Sequence, residues 1–169
     1  TFVRPTGRPL NETFGKWTAA EMERAIAEWR RVCRGDVKIV DDTAVTREHI
    51  DSANLILWGD PSSNRFISKL LPKLPLKWTS DSLSLGTQKD LPAGHHAPIL
   101  IYPNPLHSGH YIVINSGFTF RETAALNNSD QTPKLPDWAV IDLRTPPGPK
   151  WPGLVLDAGF FDESWNPLK

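Results

Sequence analysis

The sequence contains little sulfur: Cys33 is its only cysteine and Met22 its only methionine. A single cysteine excludes a disulfide bond within the chain and any metal site built on several thiolates. Lys+Arg and Asp+Glu both number 19, so the formal net charge is zero. Because proteins that bind nucleic acids usually present a basic face, we expect no nucleic-acid partner.

Long apolar runs are missing as well. The longest, around residues 97–102, spans about six residues, whereas a membrane-spanning helix needs about 20. We therefore expect no membrane span. The chain begins with Thr1 and has no charged-then-apolar leader segment. We interpret it as a mature product or as a module or fragment of a larger protein.

Proline and tryptophan, in contrast, are abundant. The 169 residues include 16 prolines and seven tryptophans, and 39% of residues are hydrophobic. A chain this apolar is expected to fold, and its length favours one domain over residues 1–169. Trp17, Trp138 and Trp151 stand beside predicted loops. They are candidates for a platform on which sugars stack, with burial in the core as the alternative.

Hydrophobic periodicity in the first half alternates between helix and strand. The predicted elements are a helix over 18–33, a strand over 37–40, a helix over 46–53, a strand over 54–58 and a helix over 66–71. Thr18 is the predicted N-cap of the first helix, with Glu21 completing a capping box, and Gly35 its predicted stop. Strands that alternate with helices indicate parallel pairing through crossovers.

The second half contains short strands separated by loops rich in proline and glycine. They are predicted over 76–78, 83–85, 99–102, 111–115, 139–143 and 154–157, with a short helix over 118–126 and a loop over 127–136. The strands over 99–102 and 111–115 are expected to form a hairpin. The whole chain is predicted to be α/β, with a mixed, largely parallel sheet and helices on both faces. That is a three-layer sandwich of the flavodoxin or Rossmann type.

The turn over 59–64 is the most site-like feature of the sequence. It follows a buried strand and opens a helix, which is where open α/β sheets bind ligands. Asp60, Ser62, Ser63 and Asn64 are its candidate binding residues, for an anion, a cation or a sugar hydroxyl. The alternative is structural: Asp60 or Ser62 caps the helix and Pro61 occupies its first turn.

Two further polar residues follow or precede predicted strands. Asn104 lies between two prolines in the predicted hairpin, and Ser116 lies between Asn115 and Gly117 after a buried strand. Ser116 is the nearest approach to a serine nucleophile, but the chain has no G-x-S-x-G elbow. Both are candidate binding residues, and we predict no catalytic residue.

The histidines do not form a metal motif. His95 and His96 are adjacent, so in a strand they point to opposite faces, and His107 and His110 fall in the predicted hairpin loop. A zinc site needs at least a third ligand and a shaped cavity. We predict neither a metal nor another cofactor.

Several strings of the sequence resemble one family. They are NLILWGDPSSN (54–64), IYPNP (101–105), YIVINSGFTFRE (111–122), PKLPDWAVID (133–142) and AGFFDE (158–163). Together they resemble the C-terminal region of prolyl-oligopeptidase-like (α/β-hydrolase) proteins of planctomycetes and related environmental bacteria. The resemblance covers nearly all of the chain.

The resemblance implies an accessory, non-catalytic module of a larger exported serine-hydrolase-like peptidase or esterase. Such a module shapes or gates the active site of a catalytic domain in the same or a companion chain, and it is extracellular or periplasmic. The alternatives are a carbohydrate-binding module, or an independent hydrolase with its site at the 59–64 turn. The expected ligand, where there is one, is a peptide or a glycan.

Overall fold

The computed structural model describes residues 1–119, 121 and 136–168. The first part of the chain alternates strands and helices. Its elements are β1 (Phe2–Arg4), α1 (Glu12–Cys33), β2 (Ile39–Asp41), α2 (Arg47–Ser52), β3 (Leu55–Leu57) and α3 (Arg65–Leu70). β1 pairs in parallel with both β2 and β3. The predicted crossovers of the first half are confirmed, because parallel neighbours require such connections.

Apart from short 3-10 turns, the remaining described elements are strands. They are β4 (Leu76–Trp78), β5 (Ser82–Leu85), β6 (Gln88–Pro92), β7 (His96–Pro103), β8 (Tyr111–Ile114), β9 (Trp138–Asp142) and β10 (Leu154–Gly159). The large sheet has the order β10-β9-β7-β8-β3-β1-β2, and a small sheet has the order β4-β5-β6. The predicted hairpin is confirmed, since β7 and β8 pair antiparallel.

The predicted three-layer sandwich with a largely parallel sheet is wrong. The described residues form ten strands and three α-helices, and all three helices precede residue 71. Only β2, β1, β3 and β8 are parallel, whereas β7, β9 and β10 pair antiparallel and the small sheet is wholly antiparallel. The reason is the connections: antiparallel neighbours can be joined without a crossover helix, whereas parallel neighbours need one. The predicted helix over 118–126 and loop over 127–136 lie largely outside the described residues.

Alternate residues of β1 and β3 point to opposite sides of the sheet. On one side, Val3 and Leu57 join a large cluster of buried side chains from the first turns of α1 and from α2, α3, the small sheet and β7–β9. On the other side, Phe2 and Trp58 join a smaller cluster with Met22 of α1. The middle of α1 therefore covers one side of the parallel strands. No helix of the described residues is long and apolar enough to cross a membrane.

Helix α1 begins six residues before its predicted start. The side chain of Asn11, not Thr18, caps it by accepting a hydrogen bond from the Phe14 amide at 2.8 Å. Gly15 leaves room for Pro9 beside the helix, because a Cβ there would lie 2.6 Å from the Pro9 side chain. The segment between β1 and α1 thus packs directly on the first turns of the helix.

Candidate functional site

The parallel strands end at one edge of the large sheet, here called the carboxyl edge. β1 connects through α1 to β2 on one side, and the chain then passes β1 to form β3 on its other side. This reversal is a topological switch point, where open α/β sheets form ligand crevices. The edge brings together Arg4 at the end of β1, the 59–64 turn after β3 and Asn115 after β8.

Asp60 organises the 59–64 turn. Its carboxylate is fully buried and accepts hydrogen bonds from the amides of Ser62, Ser63 and Leu10, at 2.8–2.9 Å. Burial of a carboxylate is tolerated because these N–H groups replace its hydration. Asp60 therefore holds the turn together and fastens the segment before α1 to it.

The other turn residues also bond within the fold. The Asn64 side chain accepts from the Phe66 amide at 2.9 Å and donates to the Trp58 carbonyl at 2.8 Å, so Asn64 is the N-cap of α3. The Ser63 hydroxyl is buried and accepts from the Asp60 amide at 2.9 Å. Ser62 is the exposed member of the set. The structural alternative for this turn thus has direct geometric support.

Asn115 and Ser116 have different roles after β8. Asn115 is buried with a φ of 49°, and its side chain accepts from the Gly59 amide and donates to the Gly59 carbonyl, each at 3.0 Å. This reciprocal pair joins the ends of β3 and β8. The Ser116 hydroxyl lies 2.6 Å from the Thr119 hydroxyl. Because a second hydroxyl is no base, this contact does not activate Ser116 as a nucleophile.

Asn104 lies at the opposite edge of the sheet, where β7 turns into β8. Its side chain accepts from the Leu106 amide at 3.0 Å, and its backbone bonds His107 and His110. The residue is buried, and its Nδ2 has no hydrogen-bond partner among the described residues. Asn104 is thus separated from the other candidates, and its contacts close the hairpin.

A cleft of about 370 Å³ opens at the switch point, between α1 and the carboxyl edge. It is bounded by residues 14–26 of α1, the segment before α1, Arg4, Ile39 and the 59–63 part of the turn. We call it the α1 cleft. Of the sequence-predicted residues only Ser63 borders it, and its hydroxyl is already bonded. The sequence thus indicated this end of β3, whereas it did not indicate the half of the cleft wall that α1 forms.

Side chains of α1 also take part in a buried cluster of charges, which no sequence motif predicted. Glu21 of α1 pairs with Arg121, and both side chains are 3% exposed. Arg24 approaches Glu21 at 3.3 Å and donates to the carbonyls of Thr119 and Gly117. Burial lowers the pKa of Arg24. The charge of Arg121 lowers it further, whereas the carboxylate of Glu21 opposes the shift. The cluster ties α1 to the segment after β8.

Asp142 is the last residue of β9 and lies at the carboxyl edge of the large sheet. Arg144 donates from Nε to both of its carboxylate oxygens at 3.0 Å and from Nη2 to one of them at 2.6 Å. Hydrogen bonding by Arg144 outweighs burial and lowers the pKa of Asp142 to about 2. A carboxyl group with this pKa stays ionised and cannot serve as a general acid near neutral pH.

This pKa predicts acid sensitivity. Because the folded-state pKa lies below the unfolded value of about 3.9, the pair stabilises the fold above pH 4, and its contribution disappears as the pH falls towards 2. Between pH 5 and pH 2 we expect the free energy of unfolding of the wild type, measured by urea unfolding, to fall by about 1–2 kcal/mol more than that of Asp142→Asn. This is less than the full shift implies, because Arg144 is 67% exposed to solvent. Arg144→Gln should behave like Asp142→Asn, and parallel curves for all three proteins would contradict the assignment.

The described residues contain no group of three or more His, Cys, Asp or Glu side chains that could hold a metal ion. The rings of His107 and His110 stack with centroids 4.7 Å apart in the hairpin loop. His96 is buried, and its Nδ1 lies 2.7 Å from the Pro92 carbonyl oxygen.

Burial explains most of the tryptophans. Trp17, Trp58, Trp78 and Trp138 are at most 5% exposed, and the Trp17 Nε1 donates to the Pro152 carbonyl at 2.7 Å. The predicted platform of Trp17, Trp138 and Trp151 is therefore not assembled, because only Trp151 is exposed. Large aromatic side chains contribute most when buried, which accounts for their number in a chain with short strands.

Comparison with protein-family models, with curated proteins and with solved structures finds no match to this chain. The resemblance to prolyl-oligopeptidase-like proteins therefore stays a prediction.

Proposed function

We propose that the chain is an accessory, non-catalytic module of an exported serine-hydrolase-like protein. In this proposal it packs against the catalytic domain of the same or a companion chain and shapes or gates its active site, outside the cytoplasm. The observation that carries the proposal is the internal use of the polar groups at the carboxyl edge. Asp60, Asn64 and Asn115 hold the backbone of the edge together, and the hydroxyl of Ser116 faces that of Thr119.

An exposed apolar strip gives such a module a surface for docking. β10 is an edge strand, and Leu154 and Leu156 on it are 49% and 39% exposed. Trp151 and Phe160, which flank β10, are also exposed. We name these four residues the β10 strip. Asp157, the one charged residue between Gly153 and Phe161, approaches Gln88 at 3.4 Å and the Thr87 hydroxyl still more closely.

The chemistry of the β10 strip suits an extended, apolar segment of the catalytic domain. An unpaired strand edge presents free backbone N–H and C=O groups, and natural edges usually carry lysine or proline that prevents pairing. Neither residue occurs between Gly153 and Phe161. β10 carries one charge, Asp157, and a register irregularity opposite β9 between Val155 and Asp157. Its exposed leucines nevertheless leave an apolar strip that suits a protein contact.

The direct test is turnover by the isolated chain. With generic ester and peptide substrates we expect no hydrolysis above the buffer rate, for the wild type and for Ser116→Ala alike. Turnover that Ser116→Ala abolishes would overturn the proposal, because it would place an active nucleophile in the module itself. In the parent hydrolase, Leu154→Lys should alter kcat/KM, whereas Val32→Lys, at an equally exposed apolar position in α1, should not.

The glycan-binding alternative has less support, because Trp17 and Trp138 are buried. The alternative of an independent hydrolase at the 59–64 turn is not favoured by the bonding of Asp60 and Asn64.

A further inference from the structure

The α1 cleft has a shape and position that the accessory role does not use. Its volume of about 370 Å³ is at the lower end of the roughly 300–1,000 Å³ typical of small-molecule sites. It lies where the chain reverses direction across β1, at the switch point between β1 and β3. A small ligand, rather than a protein surface, fits this volume.

One wall is a stripe of α1. Phe14, Thr18, Met22 and Ile26 recur every four residues and therefore share one helix face over about 18 Å. Three of these four side chains are apolar. This wall of the cleft therefore favours a ligand with an apolar side chain.

The opposite wall comes from β1 and β2. Phe2 pairs with Ile39 and Arg4 with Asp41, so these four side chains lie on the face of the sheet that α1 covers. Ile39 is nevertheless 39% exposed. An apolar side chain between α1 and β2 would cover it, which reinforces the preference for an apolar ligand.

Charges of both signs border this apolar space. Arg4 donates from Nε to Asp41 at 2.7 Å, and no residue in the described part of the chain accepts from the two terminal nitrogens of its guanidinium. Glu23 of α1 is exposed at the cleft and forms no ion pair with a described residue. A ligand with one carboxylate and one ammonium group would satisfy both.

A buried polar atom without a partner lies in the same wall. Thr18 is 4% exposed, and its Oγ1 has no hydrogen-bond partner in the described part of the chain. Such groups are uncommon in folded proteins and often mark places where water or a ligand completes the bonding. Thr18 therefore distinguishes this wall from ordinary helix packing.

We propose that the α1 cleft binds a zwitterionic apolar amino acid, with its side chain between α1 and Ile39, its carboxylate at Arg4 and its ammonium group at Glu23. The proposal goes beyond the accessory role and does not depend on it.

The single methionine makes the test specific. Met22 lies in the cleft wall, so a chain labelled with ¹³C-methyl methionine shows one methyl resonance that reports on this site. We expect L-leucine to shift this resonance saturably. N-acetyl-L-leucine, which lacks the ammonium group, and L-leucine methyl ester, which lacks the carboxylate, should bind about tenfold more weakly, as expected for the loss of one charge-assisted hydrogen bond. Glycine should not bind.

Substitutions of Glu23 and Arg4 test the two charged contacts with the ligand one at a time. Glu23→Gln should weaken L-leucine about tenfold and remove its advantage over N-acetyl-L-leucine, and Arg4→Gln should remove its advantage over the methyl ester. Glu48→Gln and Arg47→Gln, exposed changes on α2, are the matched controls and should bind like the wild type. The proposal is overturned if L-leucine gives no shift up to its solubility limit, if all three ligands bind equally, or if the cleft variants bind like the controls. None of these outcomes bears on hydrolysis by the isolated chain, which tests the accessory role separately.

Discussion

Replacing Glu21 with glutamine is expected to lower the free energy of unfolding by about 3–5 kcal/mol, because it leaves buried charge without compensation. Glu21 and Arg121 are each 3% exposed in their side chains. Arg24, 23% exposed, is the second cation beside the same carboxylate. The substitution therefore leaves two guanidinium groups facing a neutral amide in a poorly solvated place.

The loss should extend beyond one ion pair. Arg121 also donates to the carbonyls of Gly117, at 2.7 Å, and Gly148, so it connects the segment after β8 with the loop before β10. Without Glu21 to hold it, Arg121 can reach water only if these contacts loosen. We therefore expect the stability loss to accompany weaker packing of both segments on α1.

A double-mutant cycle measures this coupling. Urea unfolding of Glu21→Gln, Arg121→Met and the double variant should show that the double variant is more stable than the sum of the single losses implies, because no unpaired charge remains between the two positions. Glu12→Gln is the control on the same helix. Its pair with Lys16 is 76–81% exposed, so its loss should change the stability far less than loss of the buried pair. Additive losses in the cycle, or a loss as small as that of the control, would contradict the buried-pair account.

Replacing Gly86 with alanine is expected to lower the free energy of unfolding by about 3 kcal/mol or more. Gly86 has a φ of 59°, in the left-handed region, and a Cβ there would overlap the ring of Trp138. The left-handed conformation alone costs a side chain about 1–2 kcal/mol, and overpacking adds about 1–3 kcal/mol. Trp138 is 2% exposed and also lies against Gly159, where a Cβ would be 2.6 Å from Cζ2. The ring therefore has no room to move aside.

Thermal unfolding of paired variants tests the packing. Gly94→Ala is the matched control, since a Cβ at Gly94 has nothing within 4 Å, and its effect should stay within about 0.5 kcal/mol. In a Trp138→Leu background the added cost of Gly86→Ala should fall to its backbone part, because the smaller side chain leaves space. An equal cost in both backgrounds would show that Trp138 is not the obstacle.

Local patterns in the sequence were sufficient for the elements that neighbouring residues stabilise. Thr46 was predicted to open α2 and is its N-cap, and the hairpin between β7 and β8 was predicted from its prolines and glycine. The predicted start of α1 was wrong, although the sequence at that point has a genuine capping pattern. Thr18 and Glu21 have the spacing of a capping box, yet α1 begins at Glu12 and both residues are buried inside it.

The α1 cleft shows why a site can escape prediction. Arg4, Glu23 and Ile39 come from β1, α1 and β2, and none belongs to a motif. Their proximity depends on the crossover that places β2 beside β1, and on the side of the sheet that α1 covers. The 59–64 turn was visible because consecutive residues form it, and its polar groups proved to bond within the fold.

The sequence by itself determined the alternation of helices and strands before residue 71, the turn after β3 and the hairpin between β7 and β8. Each depends on capping, periodicity and turn residues that act within a few positions. Only the tertiary structure decided that half of the large sheet is antiparallel, that Glu21 meets Arg121 100 residues away, and that a cleft opens beside α1. The physical reason is that an apolar strand pattern records how deeply a strand is buried. It does not record which strand lies beside it or in which direction that strand runs.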